Sequence, residues 1–255
     1  MLMIDRLSYQ SKLRYVNAGE KAGFSAATLV LCVAGRSVTA GLIVLVVMGI
    51  LTVRKGGIPL SRYLKLLTVP LVFLLLNVII LAFPVRKTPL DVFAVRIGNW
   101  YLTAGQETLF YGLQIFVTAM AAVSCLYFLS CNTPMNDILN VLKKLKCPKL
   151  LIELMLLIYR FIFVLLDCAQ AISISQKSRL GNISYRTSLK SFGALVSALF
   201  IRAVRRSGVL YDAMESRCYD GEIRVLSEDR PADRKEILWI VVFEIFLLTV
   251  SIFAR

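Results

Sequence analysis

Hydrophobic residues along this chain gather into long runs at 22–35, 38–53, 66–83, 109–131, 150–166 and 237–253. A helix that crosses a bilayer needs about 20 apolar residues, and most of these runs approach that length. They are rich in Leu, Val, Ile and Phe and lack the strict two-residue alternation of an outer-membrane barrel strand. The pattern therefore predicts helices embedded in lipid, and the fold class expected is all-α. The run at 22–35 is the shortest.

Polar positions orient the runs. Arg6, Lys12, Arg14 and Lys21 precede the first run, and Arg54, Lys55, Arg62 and Lys65 follow the second. Because cytoplasmic flanks carry the excess of Lys and Arg, both ends are placed inside, with Arg36 at an outer turn. The run at 66–83 then crosses outward. Residues 84–106, with only Arg86, Lys87 and Arg96, form an external segment, and 109–131 returns. The last run, 237–253, crosses once more. Residues 1–21 are polar and charged and contain no apolar stretch followed by a small-residue cleavage site, so the first helix is expected to act as its own signal.

Residues 132–235 break this regularity, with seventeen Lys and Arg against ten Asp and Glu. Were 150–166 a span, one of its two basic flanks would lie on the wrong side of the membrane. Glu153 and Arg160 also interrupt it, and charges at mid-membrane depth are costly. The segment is expected instead as a long interfacial helix with its apolar side against lipid or another protein. A second long helix is predicted over 187–217. There Phe192, Leu195, Leu199, Ala203, Leu210 and Met214 recur at mostly three-to-four spacing, while Arg202, Arg205, Arg206, Asp212 and Glu215 fall largely elsewhere. Ser191, Gly193, Ala194, Ser197 and Ala198 near its start allow close helix approach. Gly181, Asn182 and Ser184 read as the turn between the two helices. A shorter helix is predicted over 134–145, with Thr133 as N-cap, Pro134 in the first helical position and Pro148 closing the region. Residues 219–235 read as a loop. The domain organisation expected is a membrane domain at 1–131 with about four spans, a cytoplasmic module at 132–235, and a final span at 236–255.

Composition narrows the function. Hydrophobic residues make up 58% and charged residues 18% of the chain, and the mean hydropathy is +0.72, too apolar for a soluble domain of this length. The net charge of +14 is accounted for by the positive-inside distribution, so no nucleic-acid partner is expected. Histidine is absent, which removes the commonest metal ligand and the usual general base. No Walker loop GxxxxGK[ST] occurs, and the six cysteines include no CxxC pair. Neither catalysis by the chain alone nor a bound metal or cofactor is expected.

Both long helices end in a Ser-Arg pair: Gln176-Lys177-Ser178-Arg179-Leu180 and Glu215-Ser216-Arg217-Cys218-Tyr219. A guanidinium at a helix C-terminus is favoured by the macrodipole, and its planar fork suits a partner's carboxylate or carbonyl groups. The alternative reading is two capping arginines among many basic residues. Glu153, Arg160 and Asp167 are candidates for an internal ion pair, with a snorkelling interfacial Arg160 as the alternative.

The run from Cys131-Asn132-Thr133-Pro134 to Lys149, the stretch Ile158-Tyr159-Arg160 to Asp167, and AVRRSGVLYDAMESRCYDG from Ala203 to Gly221 resemble the transmembrane T component of energy-coupling factor transporters, most nearly its cobalt-transport CbiQ type. The resemblance covers nearly the whole chain. It implies about five transmembrane helices plus a cytoplasmic module of crossed amphipathic coupling helices, in the plasma membrane. It implies as partners two ABC-type ATPase subunits, which bind the ATP, and a substrate-binding S component, CbiM-like and accompanied in some systems by a small CbiN-like subunit. It implies two ATPase-docking motifs of the small-Arg-small kind, here Ser178-Arg179-Leu180 and Ser216-Arg217-Cys218. Leu180 departs from the small residue usual in the family, and Cys218 stands where glycine is common. The substrate implied is cobalt or nickel. A T component serving vitamin transport is the alternative within the family. A membrane enzyme acting on lipid phosphates is the alternative outside it, with Asp212, Glu215, Asp220 and Glu222 as its only nearby carboxylates.

Overall fold

The computed structural model describes residues 3–82, 85–86, 93–97, 100–104, 106–221, 223, 231 and 233–253. Nine α-helices account for most of the described residues: α1 Met3–Gln10, α2 Ala18–Gly35, α3 Val38–Ile50, α4 Leu60–Ala82, α5 Gln106–Asn132, α6 Met135–Lys144, α7 Lys149–Ser178, α8 Tyr185–Glu215 and α9 Arg234–Phe253. A π-helical turn, Leu51–Lys55, continues α3. Three short strands also occur, β1 Val85–Arg86, β2 Phe93–Ile97 and β3 Trp100–Ala104. They pair antiparallel in the order β1-β3-β2, with Val85 opposite Leu102 and Arg96 opposite Tyr101. This small sheet lies in the segment expected from the sequence only as external, and among the described residues it is the one departure from helix and loop.

Among the described residues, five helical stretches are long and apolar enough to cross a membrane: Val38–Lys55, Leu60–Val78, Phe110–Asn132, Tyr185–Glu215 and Arg234–Phe253. The protein is thus a multi-pass membrane protein. The number agrees with expectation, but the set differs, because α8 qualifies and α2, with Glu20 and Lys21 in its first turn, does not.

The chain divides into two compact units, Leu2–Ile138 with Glu228–Arg255, and Leu139–Ser227. In the first, α5 packs against α1, α2, α3 and α4, and α9 packs against α2 and α3. Phe24, Cys32, Val44, Met48, Ala121, Cys125, Phe128 and Leu247 form its core. Phe24 meets Phe128 and Phe243 edge-on at centroid distances of 5.8 and 5.7 Å, the arrangement that ring quadrupoles favour. A Cβ at Gly41 would lie 2.9 Å from Cγ1 of Val117, so glycine is what lets α3 and α5 approach this closely.

Where apolar packing cannot distinguish protein from lipid, polar tethers between helices gain weight. Ser25 Oγ donates to the Cys125 carbonyl at 2.8 Å, Thr28 Oγ1 lies 2.6 Å from Glu244 Oε1, and Tyr63 and Ser124 share a 2.7 Å hydroxyl contact. The N-terminal segment is clamped in the same way. Buried Lys21 donates from Nζ to the carbonyls of Leu13 and Asn132 at 3.0 and 3.1 Å, and Ser11 Oγ donates to Asn132 Oδ1 at 2.7 Å. The Asn132 carbonyl belongs to the negative end of α5, so the ammonium also meets the helix dipole favourably. Thr133 does not cap α6 as expected; its hydroxyl is buried without a hydrogen-bond partner, and the Pro134 carbonyl accepts from Asp137 and Ile138 instead.

In the second unit α7 and α8 pack together. Ser184 caps α8, its Oγ accepting from the Thr187 amide. Of all the residues in α7 and α8, only Glu153 is buried.

Candidate functional site

The end of α7 is built by backbone hydrogen bonds. The Gly181 amide donates to the Gln176 carbonyl at 2.8 Å and the Leu180 amide to Lys177 at 3.1 Å, the paired closure of a Schellman motif. That closure needs a left-handed residue after the helix cap, and here it is Leu180, at φ 60°. Arg179 is the cap itself. A Cβ at Gly181 would lie 2.8 Å from the Gln176 carbonyl oxygen and 2.9 Å from Ser191 Oγ. Glycine there lets the turn lie on α8, where Gln176 Nε2 donates to the Ser191 carbonyl at 2.8 Å and Ser191 Oγ donates to the Gly181 carbonyl at 2.8 Å.

The end of α8 repeats this construction. The Tyr219 amide donates to the Met214 carbonyl at 3.1 Å, and the Cys218 amide donates to Glu215 at 3.0 Å. The left-handed residue is Cys218, at φ 58°. Arg217 thus stands where Arg179 stands, immediately before the left-handed residue. Both serines bond back onto their own helices, Ser178 Oγ to Ile174 and Ser216 Oγ to Ala213, each at 3.0 Å. The third position of each Ser-Arg-x triplet therefore requires a conformation that glycine adopts without cost and other residues adopt at about 1 kcal/mol.

Both arginines are exposed. Neither guanidinium has a hydrogen-bond or ion-pair partner among the described residues. Each is a cation at the negative end of a long helix dipole, presented outward in a fixed backbone frame, which suits docking onto carboxylate or carbonyl acceptors. They do not lie together. The end of α7 is joined to the start of α8 through Gln176 and Ser191, and the start of α7 is joined to the end of α8 through Glu153 and Tyr219, so the pair is antiparallel. At 1.5 Å per residue the two arginines lie about 40 Å apart, at opposite ends of the pair.

The second junction was not foreseen from the sequence. Buried Glu153 accepts from the Tyr219 hydroxyl at 2.9 Å on Oε2 and from the Ile223 amide at 3.1 Å on Oε1. This hydrogen bond to the carboxylate, reinforced by desolvation and the Glu153 charge, pushes the Tyr219 hydroxyl above its ordinary pKa. The expected internal ion pair among Glu153, Arg160 and Asp167 does not form among the described residues. Their seven-residue spacing puts successive members about 10.5 Å apart along α7, Arg160 and Asp167 are exposed, and both oxygens of Glu153 are engaged elsewhere.

The rest of the candidate chemistry disperses. Asp212, Glu215 and Asp220 are exposed, and Glu222 lies outside the described residues. Among the described residues no group of three or more His, Cys, Asp or Glu is placed to hold a metal ion. All six cysteines are free thiols, with Cys32, Cys125 and Cys131 buried and Cys218 exposed.

The chain's similarities to known proteins span this whole architecture. Residues 10–226 match the family described as CbiQ, cobalt transport protein. An uncharacterised protein of Methanocaldococcus jannaschii is 33% identical over 249 residues, covering 98% of this chain and 92% of the relative. The cobalt transport protein CbiQ of Salmonella typhimurium is 29% identical over 226 residues, 88% of this chain and 100% of the relative. The energy-coupling factor transporter transmembrane protein EcfT of Staphylococcus aureus is 30% identical over 138 residues, 49% of this chain and 52% of the relative.

Proposed function

Because this chain belongs to the CbiQ family of cobalt transport proteins, we propose that it couples ATP hydrolysis by a cytoplasmic ATPase pair to uptake of cobalt or nickel held by a separate substrate-binding subunit. It is a membrane component of an energy-coupling-factor type transporter, as its CbiQ and EcfT relatives are. The finer reading rests on one observation above all. Two long helices close in the same Schellman geometry, with the same Ser-Arg sequence, and each presents, immediately before its left-handed residue, an arginine with no partner among the described residues.

In this reading Arg179 docks on one ATPase subunit and Arg217 on the other. ATP-driven closure draws the two docking grooves together and so forces the antiparallel pair to change its crossing or sliding geometry. Its apolar surface carries Leu154, Ile158 and Ile162 on α7 and Phe192, Val196 and Phe200 on α8, all exposed. That surface contacts the substrate-binding subunit and moves beneath it, releasing the ion inward. ATP and the metal are held by the partners, and this chain's contribution is mechanical.

Replacing Arg179 and Arg217 together by Glu tests the reading. Metal uptake by cells carrying the double variant should fall to background while the protein still reaches the membrane at normal level. Uptake at the parental rate would overturn the proposal.

A further inference from the structure

The two docking ends are braced differently. Arg179 is set by hydrogen bonds at the start of α8, through Gln176, Ser191 and Gly181. The Arg217 end is set by a carboxylate that reaches Tyr219 and Ile223 from the other helix. Glu153 is 8% exposed, and a buried carboxylate is costly unless its oxygens are hydrogen-bonded. Both are, one by the Tyr219 hydroxyl and one by the Ile223 amide. Tyr219 follows Arg217 by two residues, and its amide closes the Schellman turn on Met214. The backbone of Arg217 is therefore fixed on one side by α8 and on the other by a residue whose ring is anchored to α7.

We propose that Glu153 is the positioning residue for Arg217: by holding Tyr219 and Ile223 it aims the Arg217 guanidinium for ATPase docking and leaves the Arg179 end untouched. The proposal rests on the docking reading given above and adds to it an asymmetry. One arm is set within the hairpin turn. The other is set by a carboxylate latch spanning the two helices, so a change in their relative position reaches Arg217 through Glu153.

The asymmetry gives the test. ATPase affinity for the detergent-solubilised protein is measured in two backgrounds, Arg179→Ala, where docking depends on Arg217, and Arg217→Ala, where it depends on Arg179. Into each is introduced Glu153→Ala or the milder Tyr219→Phe, which keeps the ring and removes only the donor. In the Arg179→Ala background Glu153→Ala should weaken binding roughly ten- to hundredfold, the range of a lost hydrogen bond to a charged group, and Tyr219→Phe several-fold. In the Arg217→Ala background neither should change affinity. Equal losses in both backgrounds would show a merely structural role and overturn the proposal, as would no loss in either. If neither arginine replacement alone affects ATPase binding, the docking reading itself fails and the latch's proposed role falls with it, an outcome readily told apart from the others.

Discussion

The two units of this protein are stabilised by opposite means. The unit formed by α1–α5 and α9 buries a core of Phe24, Val44, Met48, Phe128 and Leu247 and ties its helices with polar groups such as Lys21, Ser25 and Tyr63. The unit containing α7 and α8 buries almost nothing in those two helices except Glu153 and leaves Phe192, Phe200 and Ile158 more than half exposed. The first has a buried core, although α4 and α9 also expose apolar residues such as Phe73 and Trp239. The second has no such core in α7 and α8, and its terminal arginines have no partner among the described residues; exposed apolar surface on ordered helices is available to lipid or a partner protein. Local stability is drawn low where movement is needed, and the docking proposal puts that movement in the α7–α8 pair.

Substitutions can break this contrast or sharpen it. Phe24→Ala removes a ring packed edge-on against two others and should destabilise the protein by about 3–5 kcal/mol, read as a lower thermal midpoint in mild detergent. Lys21→Met leaves the carbonyls of Leu13 and Asn132 without their donor at a cost of about 1–3 kcal/mol, read the same way; an unchanged midpoint would remove the N-terminal clamp from the account. Leu180→Gly and Cys218→Gly relieve a left-handed conformation and should each steady their helix end by about 1 kcal/mol, visible as slower amide hydrogen exchange over the last turn. Phe200→Ala, at a site 69% exposed, should alter stability by no more than about 0.5 kcal/mol while reducing recovery of the substrate-binding subunit with the complex. A midpoint drop as large as that of Phe24→Ala would erase the distinction between the units.

The sequence made the long helices of the second unit readable because their signals are local. The helix expected at 150–179 forms at Lys149–Ser178, the one expected at 187–217 forms at Tyr185–Glu215, and the turn expected at Gly181 to Ser184 lies between them. The Ser-Arg pairs were visible for the same reason. The left-handed geometry of Leu180 and Cys218 was hidden, since neither residue announces it as glycine would. The Glu153–Tyr219 latch joins residues 66 positions apart, and no periodicity encodes such a pairing. Arg160 was expected to pair with Glu153 or Asp167, but about 10.5 Å of helix rise separates it from each. The small sheet of β1, β2 and β3 lies in a segment whose few charges mark it only as external, although β2 and β3 are rich in β-branched and aromatic residues. Of the loop expected at 219–235, residues 219–221, 223, 231 and 233 lack regular structure, Arg234 and Lys235 open α9, and the rest lie outside the described residues.

The central claim is that Arg179 and Arg217 are two separate docking points at opposite ends of one antiparallel helix pair. Quantifying the ATPase that copurifies with the wild-type chain, each arginine-to-alanine variant and the double variant tests it most directly. Each single variant is expected to retain ATPase at reduced yield and the double variant to retain none, as loss of two linked contacts requires. A double variant that still holds the ATPase pair at wild-type yield would contradict the account.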